Sequence, residues 1–489
     1  MKAIKYFTCL FLLLIIKSVF SQSPDTLWTK TIGGVDKDTG YRISQTNDGG
    51  FITTGATDSF GAGDYDIYLI KTNQFGDTIW TKTFGGSGQD YGSEVHQTTD
   101  GGYIIIGSTE PLNNYRDDLY LIKTDSDGDT LWTKAYGGTL EDAGRSIVED
   151  INGNYLAAGY TRSFDPGNVD VWILKFNEFG DTLWTRRVGG NEVDAGATIK
   201  KLENDDYIIV GYTQSFSSSN DIYLIRIDSS GNTIWTNNYG KQGSEYGEDV
   251  LELADGGFVI SGYTTSYGAG YDCYLVRVNV NGDTLWTKSY GAEYDDKAYA
   301  IEQFEDGFVM TGFTNNFGVT ERDVLIIKTD FNGDTVWTKK IGGSYNDWGF
   351  GMDKTTDNGL IIAGQTDIYG DGNHDVWLIR LDKVVAGLTT EKLINNYNLY
   401  PNYPNPFNPT TKIEYQIPEL SIVTIKVYDA LGNEITTLVN KEKPAGTYEI
   451  TWHAEHFPSG VYFYQMKAGD PSTSSGQGFV ETKKMVLLR

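Results

Sequence analysis

The side chains best placed to do chemistry in this chain are carboxylates carried in turns. The stretch TDSDGD (124–129) sets Asp125, Asp127 and Asp129 at alternate positions, the opening of a calcium loop. The glutamate that would complete such a loop does not follow. Counterparts elsewhere, TNQFGD, FNEFGD, IDSSGN and VNVNGD, occupy the same place without three carboxylates. The residues therefore read first as turn formers, because Asp and Asn side chains accept nearby backbone N–H groups. Ca2+ is the one ion they could take, and no other cofactor is expected.

A second acidic series recurs once per repeat: Asp38, Asp90, Asp142, Asp194, Glu245, Asp295 or Asp296, and Asp347. Seven carboxylates near a common axis could gather cations. Short polar side chains at such places more commonly hold loops by accepting backbone hydrogen bonds, and that reading is preferred. The longer loops add aromatics at Phe60, Phe164, Phe216, Tyr267, Phe317 and Tyr369. Aromatics beside amides and carboxylates suit sugar stacking, but a residue that recurs in six repeats is expected first to pack one unit on the next. Specificity is sought instead where the repeats differ: Asn113, Asn114, Tyr115, Arg116, Asp165, Glu321, Arg322, Asn373 and His374. Of these, Tyr115, Arg116, Asp165, Glu321, Arg322, Asn373 and His374 are taken as the ligand-binding set.

Little points to catalysis. The repeat region holds only His96 and His374, with no nucleophile elbow, zinc motif or phosphate loop. Two-carboxylate glycoside hydrolysis stays open as an alternative, since acids are plentiful.

The element that must position these residues announces itself through tryptophan. Trp28, Trp80, Trp132, Trp184, Trp235, Trp286 and Trp337 each sit in a phrase of Asp or Asn, Thr, an apolar residue, Trp and Thr, 51 or 52 residues apart. A fixed period of that length means one supersecondary unit repeated. Each unit holds four strand-like runs, for example 143–150, 154–161, 170–177 and 181–190, joined by short Asp/Gly/Asn turns. The middle two runs are apolar on both faces, as strands covered by sheets on either side must be. Gly55, Gly107, Gly159, Gly211, Gly262, Gly312 and Gly364 recur in the second strand and imply close backbone approach between neighbouring units. The expected architecture is all-β: a seven-bladed propeller of four-stranded blades. The chain enters at a fourth strand (Asp25–Ile32) and leaves after a third (Asp375–Leu381), so the N-terminal strand closes the last blade and removes an exposed edge. The Trp turns resemble the docking element of quinoprotein-type propellers, with Asp125, Gly128 and Trp132 in the corresponding roles. That resemblance implies that each Trp wedges against the next blade. The eight-bladed quinone enzymes use a disulfide and a calcium site; with seven blades and one cysteine in the mature chain, their cofactor is not carried over.

The chain of 489 residues carries a net charge of −27, which disfavours nucleic acid and anionic membranes as partners. Residues 1–21 have the build of a signal peptide: Lys2 and Lys5, an apolar run, then small Ser21. Its removal leaves Cys273 as the only cysteine, expected as a buried spectator. The repeats occupy 22–382, a linker 383–396, and a second module 397–489.

That second module alternates as a small β-sandwich. Asn405-Pro406-Phe407, Tyr428-Asp429 with Gly432, Ala445-Gly446-Thr447-Tyr448, Ser459-Gly460-Val461-Tyr462 and Lys483-Lys484-Met485-Val486 resemble the C-terminal sorting domain of the type IX (Por) secretion system of Bacteroidota-like bacteria. The fold is similar to the immunoglobulin-like domain of flagellar hook-capping proteins. The resemblance implies recognition by an outer-membrane translocon and its processing machinery, with delivery to the cell surface or medium. The expected protein is an exported, monomeric binding module for a glycan or protein, not integral to the membrane. A secreted carbohydrate-active hydrolase and a structural envelope protein are the alternatives.

Overall fold

A computed structural model describes residues 23–110, 116–164, 168–268, 270–291, 293–315, 322–343, 345–367, 374–384, 397–417, 421–443, 446–469 and 479–488. The expected signal peptide and most of the expected linker lie outside these residues. The chain divides into two compact units, Met1–Gly387 and Leu388–Arg489.

The first unit is a seven-bladed β-propeller. Seven four-stranded antiparallel sheets follow one another, and in six of them the strands lie in chain order from the axis outward. The seventh takes Asp347–Lys354, Leu360–Thr366 and Asp375–Leu381 from the end of the unit and Thr26–Ile32 from its start, with Thr29 opposite Ile379. The middle strands, such as Phe51–Thr57 and Asp66–Thr72, are buried along their whole length, whereas the outer strands alternate. Packing accounts for this: each middle strand lies between two neighbouring sheets, and the outer strand faces solvent.

Every outer-strand tryptophan reaches the neighbouring blade. A Cβ on Gly76, Gly128, Gly180, Gly231 or Gly333 would lie 2.6–2.9 Å from the indole of Trp28, Trp80, Trp132, Trp184 or Trp286 of the preceding blade. The positive φ of these turn glycines, 75–81°, adds a second reason for the residue type. Trp337, 7% exposed, packs into the last blade beside Val384. Trp235 departs, for Asn237 rather than the indole covers Gly282, while Trp235 meets Phe258 edge-on.

The second-strand glycines make two close approaches. A Cβ on Gly55 would lie 1.8 Å from the carbonyl oxygen of Thr39, and one on Gly364 1.6 Å from that of Trp348, both in the innermost strand of the same blade where it bulges. The approach between blades expected from the sequence is present as well: a Cβ on inner-strand Gly92, Gly196 or Gly247 would lie 3.0–3.1 Å from the carbonyl oxygen of Gly55, Gly159 or Gly211 in the preceding blade.

Each blade also carries one cation on its third strand, buried in five blades and partly buried at Lys175 and Arg226, paired with an Asp in the turn between its first two strands. The pairs are Lys71–Asp48, Lys123–Asp100, Lys175–Asp150, Arg226–Asp206, Arg277–Asp255, Lys328–Asp306 and Arg380–Asp357.

The second unit is a β-sandwich of two sheets, one of three strands and one of four, around Phe407, Ile413, Tyr415, Ile425, Trp452, Tyr464 and Met485. The motif residues build it. Asn405 Oδ1 accepts from the Val486 amide at 3.0 Å, and buried Phe407 pairs its backbone with Val486 and Leu488. Asp429 closes the turn after Tyr428 by accepting from the Leu431 and Asn433 amides, with Gly432 at φ 88°. Gly446 and Gly460 begin strands, and Lys483 and Lys484 lie in the last one, Lys483 pairing with Glu481.

Candidate functional site

All seven innermost strands share one irregularity. Their register slips at the same place, between Gly40 and Arg42, Gly92 and Glu94, Gly144 and Ser146, Gly196 and Thr198, Gly247 and Asp249, Ala298 and Ala300, and Gly349 and Gly351. A β-bulge turns its extra residue out of the ladder and re-aims it. The bulged residues are Tyr41, Ser93, Arg145, Ala197, Glu248, Tyr299 and Phe350, and all seven line one cavity of about 650 Å³ on the axis of the ring. Loop-end residues Tyr91, Ser108, Asp117, Tyr160, Tyr212, Tyr246 and Tyr263 complete its wall. The cavity therefore lies toward the face carrying the longer loops.

The wall is asymmetric. Rings run in contact from Tyr41 to Phe350 (5.6 Å), Phe350 to Tyr299 (5.5 Å), Tyr299 to Tyr263 (6.2 Å), Tyr263 to Tyr246 (4.9 Å) and Tyr246 to Tyr212 (5.1 Å). This arc spans blades one, seven, six, five and four. Facing it are the small residues Ser93, Ala143, Ala195 and Ala197, with Arg145 among them. Burial pushes the Glu248 carboxyl above its ordinary range, against the pull of Arg42, Arg145 and Lys297.

Below the bulges the next side chains tie the ring together. Glu94 accepts from the Ile147 amide, Asp249 from the Ile301 amide, Thr198 donates to the Glu248 carbonyl, and Arg42 donates to the Phe350 carbonyl. Deeper still, His96, Lys200, Glu302 and Asp353 form a charged tier. His96 lies 3.1 Å from Glu94 and Lys200 lies 3.5 Å from Asp249. Burial and nearby Asp353 push the Glu302 carboxyl up to about 8. Burial opposes ionisation of Glu94 as well, but His96, Lys200 and Ser146 outweigh it and bring that carboxyl down to about 2.

The acidic series at the head of the inner strands holds loops. Asp38 accepts from the Gly34 amide at 2.7 Å and the Ser59 hydroxyl at 2.8 Å, and Asp194 repeats this with Gly190 and Ser215. Glu245 does the same with Lys241 N, Thr264 and Ser266, and Asp296 rather than Asp295 occupies the position in blade six. A glycine is wedged against each carboxylate: a Cβ on Gly33 would sit 2.1 Å from Asp375 and 2.7 Å from Asp38. Asp125 spends its carboxylate on the amides of Asp127 and Asp129. Among the described residues no group of three or more His, Cys, Asp or Glu is arranged to hold a metal ion. Cys273 is buried and unpaired with any other cysteine.

Of the loop residues nominated from sequence, Asn113, Asn114, Tyr115, Asp165, Glu321 and Asn373 lie outside the described residues, as do Phe317 and Tyr369. Arg116 donates to the Thr139 carbonyl at 3.2 Å. Arg322 and His374 are brought together around Trp348: the guanidinium stacks 5.2 Å from its ring, and the imidazole meets it edge-on at 5.7 Å. His374 Nδ1 also bonds to Asp367. Phe60, Phe164, Phe216 and Tyr267 lie on Tyr68, Trp172, Tyr223 and Tyr274, third-strand aromatics of their own blades, and Phe60, Phe216 and Tyr267 also lie beside Gly34, Gly190 and Lys241 in the connection from the preceding blade. Each stays 42–51% exposed, because the loop ends at the sheet's rim.

Sequence reasoning missed the bulge residues. Their one signal was available: after a recurrent small residue, Gly or Ala, the inner strand places seven side chains of six kinds in the same position.

Residues 402–477 match the family described as the secretion system C-terminal sorting domain. The second unit is a sorting domain. It marks the chain for export to an extracellular or outer-membrane surface location and implies interaction with the type IX machinery. Among the described residues no helix is long and apolar enough to cross a membrane. A curated relative, "Regulatory protein FlaEY" of Caulobacter vibrioides, is 24% identical over 257 residues, 47% of this chain, which spans about a quarter (26%) of that protein's length. Solved structures similar to the propeller include the Pan2 WD40 domain of Neurospora crassa (11% identity, 73% of this chain and 96% of that one, TM-score 0.44). Another is the β-propeller domain of the Trilobed protease of Pyrococcus furiosus (10%, 74% and 98%, TM-score 0.40).

Proposed function

We propose that the protein is an exported surface propeller that binds a glycan or protein ligand in its axial cavity. The observation that supports this reading is the bulge position. Seven blades repeat their tryptophans, ion pairs and loop-holding carboxylates, yet present seven side chains of six kinds to one cavity. A cavity of this volume with a few polar groups on an aromatic wall is the usual form of a ligand site. The full-length protein on glycan and protein arrays should give a ligand whose binding falls at least about tenfold in Tyr299→Ala and in Phe350→Ala, the scale of losing a central aromatic contact. Binding indifferent to both variants would contradict the reading, and no ligand on either array would favour a structural envelope role.

A hydrolytic reading has one observation in its favour. Glu248 and Asp117 both line the cavity, and burial raises both carboxyls, as a general acid requires. Release of reducing sugar that disappears in Glu248→Gln would establish it.

A further inference from the structure

The cavity wall says more about the ligand than that one binds, and the inference here rests on the axial-cavity reading. Twenty residues line the space, seven of them tyrosine, and none is Leu, Ile, Val or Met. A pocket for apolar peptide side chains would draw on those residues. Tyrosine faces with hydroxyl edges instead match pyranose rings, which offer C–H faces and hydroxyl rims. Room for such a ring lies opposite the aromatic arc, where Ser93 and Ala197 replace bulky bulge residues and Ala195 lies beside them.

In that space stands a cation that forms no ion pair among the described residues, although it draws on the Glu248 and Asp117 carboxyls of the same wall. Arg145 is exposed to the cavity, and its one contact among the described residues is the face of Tyr160 at 5.8 Å. Glu141 is engaged elsewhere: it accepts from the Tyr160 hydroxyl at 2.6 Å and pairs with Arg162 at 3.1 Å. The other lining arginine, Arg42, is committed to the Phe350 carbonyl. In a chain with 66 acidic and 39 basic residues, a guanidinium left open on the axis is out of keeping with its surroundings. A planar fork of donors is suited to a carboxylate.

The geometry points to an acidic carbohydrate as the ligand, a uronic-acid-bearing chain whose sugar rings lie on the Tyr299–Phe350–Tyr41 arc while its carboxylate meets Arg145. The test is calorimetric titration of the full-length protein with three probes: a galacturonic acid trimer, its methyl ester, and a tripeptide with a free C-terminal carboxylate. The acid should bind. The ester, which keeps the rings and loses the charge, should bind roughly 10- to 100-fold more weakly, the range for one charge-assisted hydrogen-bond pair. Arg145→Gln should weaken the acid by a similar factor and leave the ester unchanged, with a melting temperature shifted little because the side chain forms no ion pair among the described residues and is exposed. Ester and acid binding equally, both sensitive to Tyr299→Ala, would overturn the carboxylate assignment and keep the axial site. Preference for the peptide would overturn the carbohydrate class. Acid binding that ignores both Arg145→Gln and Tyr299→Ala would overturn this inference and the axial-cavity reading together.

Discussion

Single residues in this propeller divide into those that repeat and those that do not, and the division tracks their work. Lys328 shows the repeating kind: its side chain is fully buried, and its ammonium group lies 2.8 Å from Asp306. Removing one partner of such a pair strands the other, so Lys328→Met should cost about 3–5 kcal/mol in chemical denaturation. The docking tryptophans are similar. Trp337→Ala, which empties a buried site, should cost about 3–5 kcal/mol, and Trp184→Ala less because that indole is only half-buried. Equal losses at the two sites would contradict the docking geometry. The tryptophans were plain in the sequence because their spacing is regular. The bulge residues were not, since a bulge leaves no mark on apolar alternation, and Arg145 or Glu248 reads as one more solvent-facing charge. Variation in loop length drew attention to Arg116, Arg322 and His374, whereas variation on the axis lay inside strands that look alike.

At the scale of strands, closure and the bulge carry the fold. The pairing of Thr26–Ile32 with Asp375–Leu381 followed from the phase of the repeat, because a chain that starts on a fourth strand and stops on a third can complete seven sheets in one way. Deleting residues 22–33 should leave an apolar strand edge and move the protein from the intact chain's peak in size-exclusion chromatography into aggregates. The bulge depends on the second-strand glycine, since any Cβ there would meet the inner strand's carbonyl. Gly55→Ala, a change that at an unhindered site stabilises by about 0.4–1 kcal/mol, should here instead destabilise blade one by more than that amount. Sequence inspection marked these glycines for their approach to the neighbouring blade but not for the tighter one inside the sheet, because it could not show that the inner strand swells toward the second.

For the whole molecule, the pH dependence of stability follows from two populations of carboxylates. Burial raises Asp38, Asp66, Asp90, Asp118, Asp221, Asp272, Asp347 and Glu302, the last to about 8. A group whose folded pKa lies above its unfolded value opposes folding once both states are ionised, and the opposition fades as pH falls through the folded pKa. Asp48 and Asp100 are the reverse: burial would raise them, but Lys71 and Lys123 with the neighbouring threonine and backbone donors hold them at about 2. Their contribution is present above the ordinary carboxylate range and lost as pH falls toward 2. The melting temperature should thus rise from pH 8 to about pH 5 and collapse below about pH 3, and Glu302→Gln should flatten the limb between about 4.5 and 8. A melting temperature that rises steadily with pH would contradict this assignment.

The central claim is that an exported ring of seven alike blades takes its ligand where the blades differ, on the axis. A crystal structure of the full-length protein with the ligand found on the array tests it most directly. The account predicts ligand density between Arg145 and the Tyr299–Phe350–Tyr41 arc, in contact with the bulge residues. Density confined to the outer loops, or to the face carrying the short hairpin turns, would contradict it.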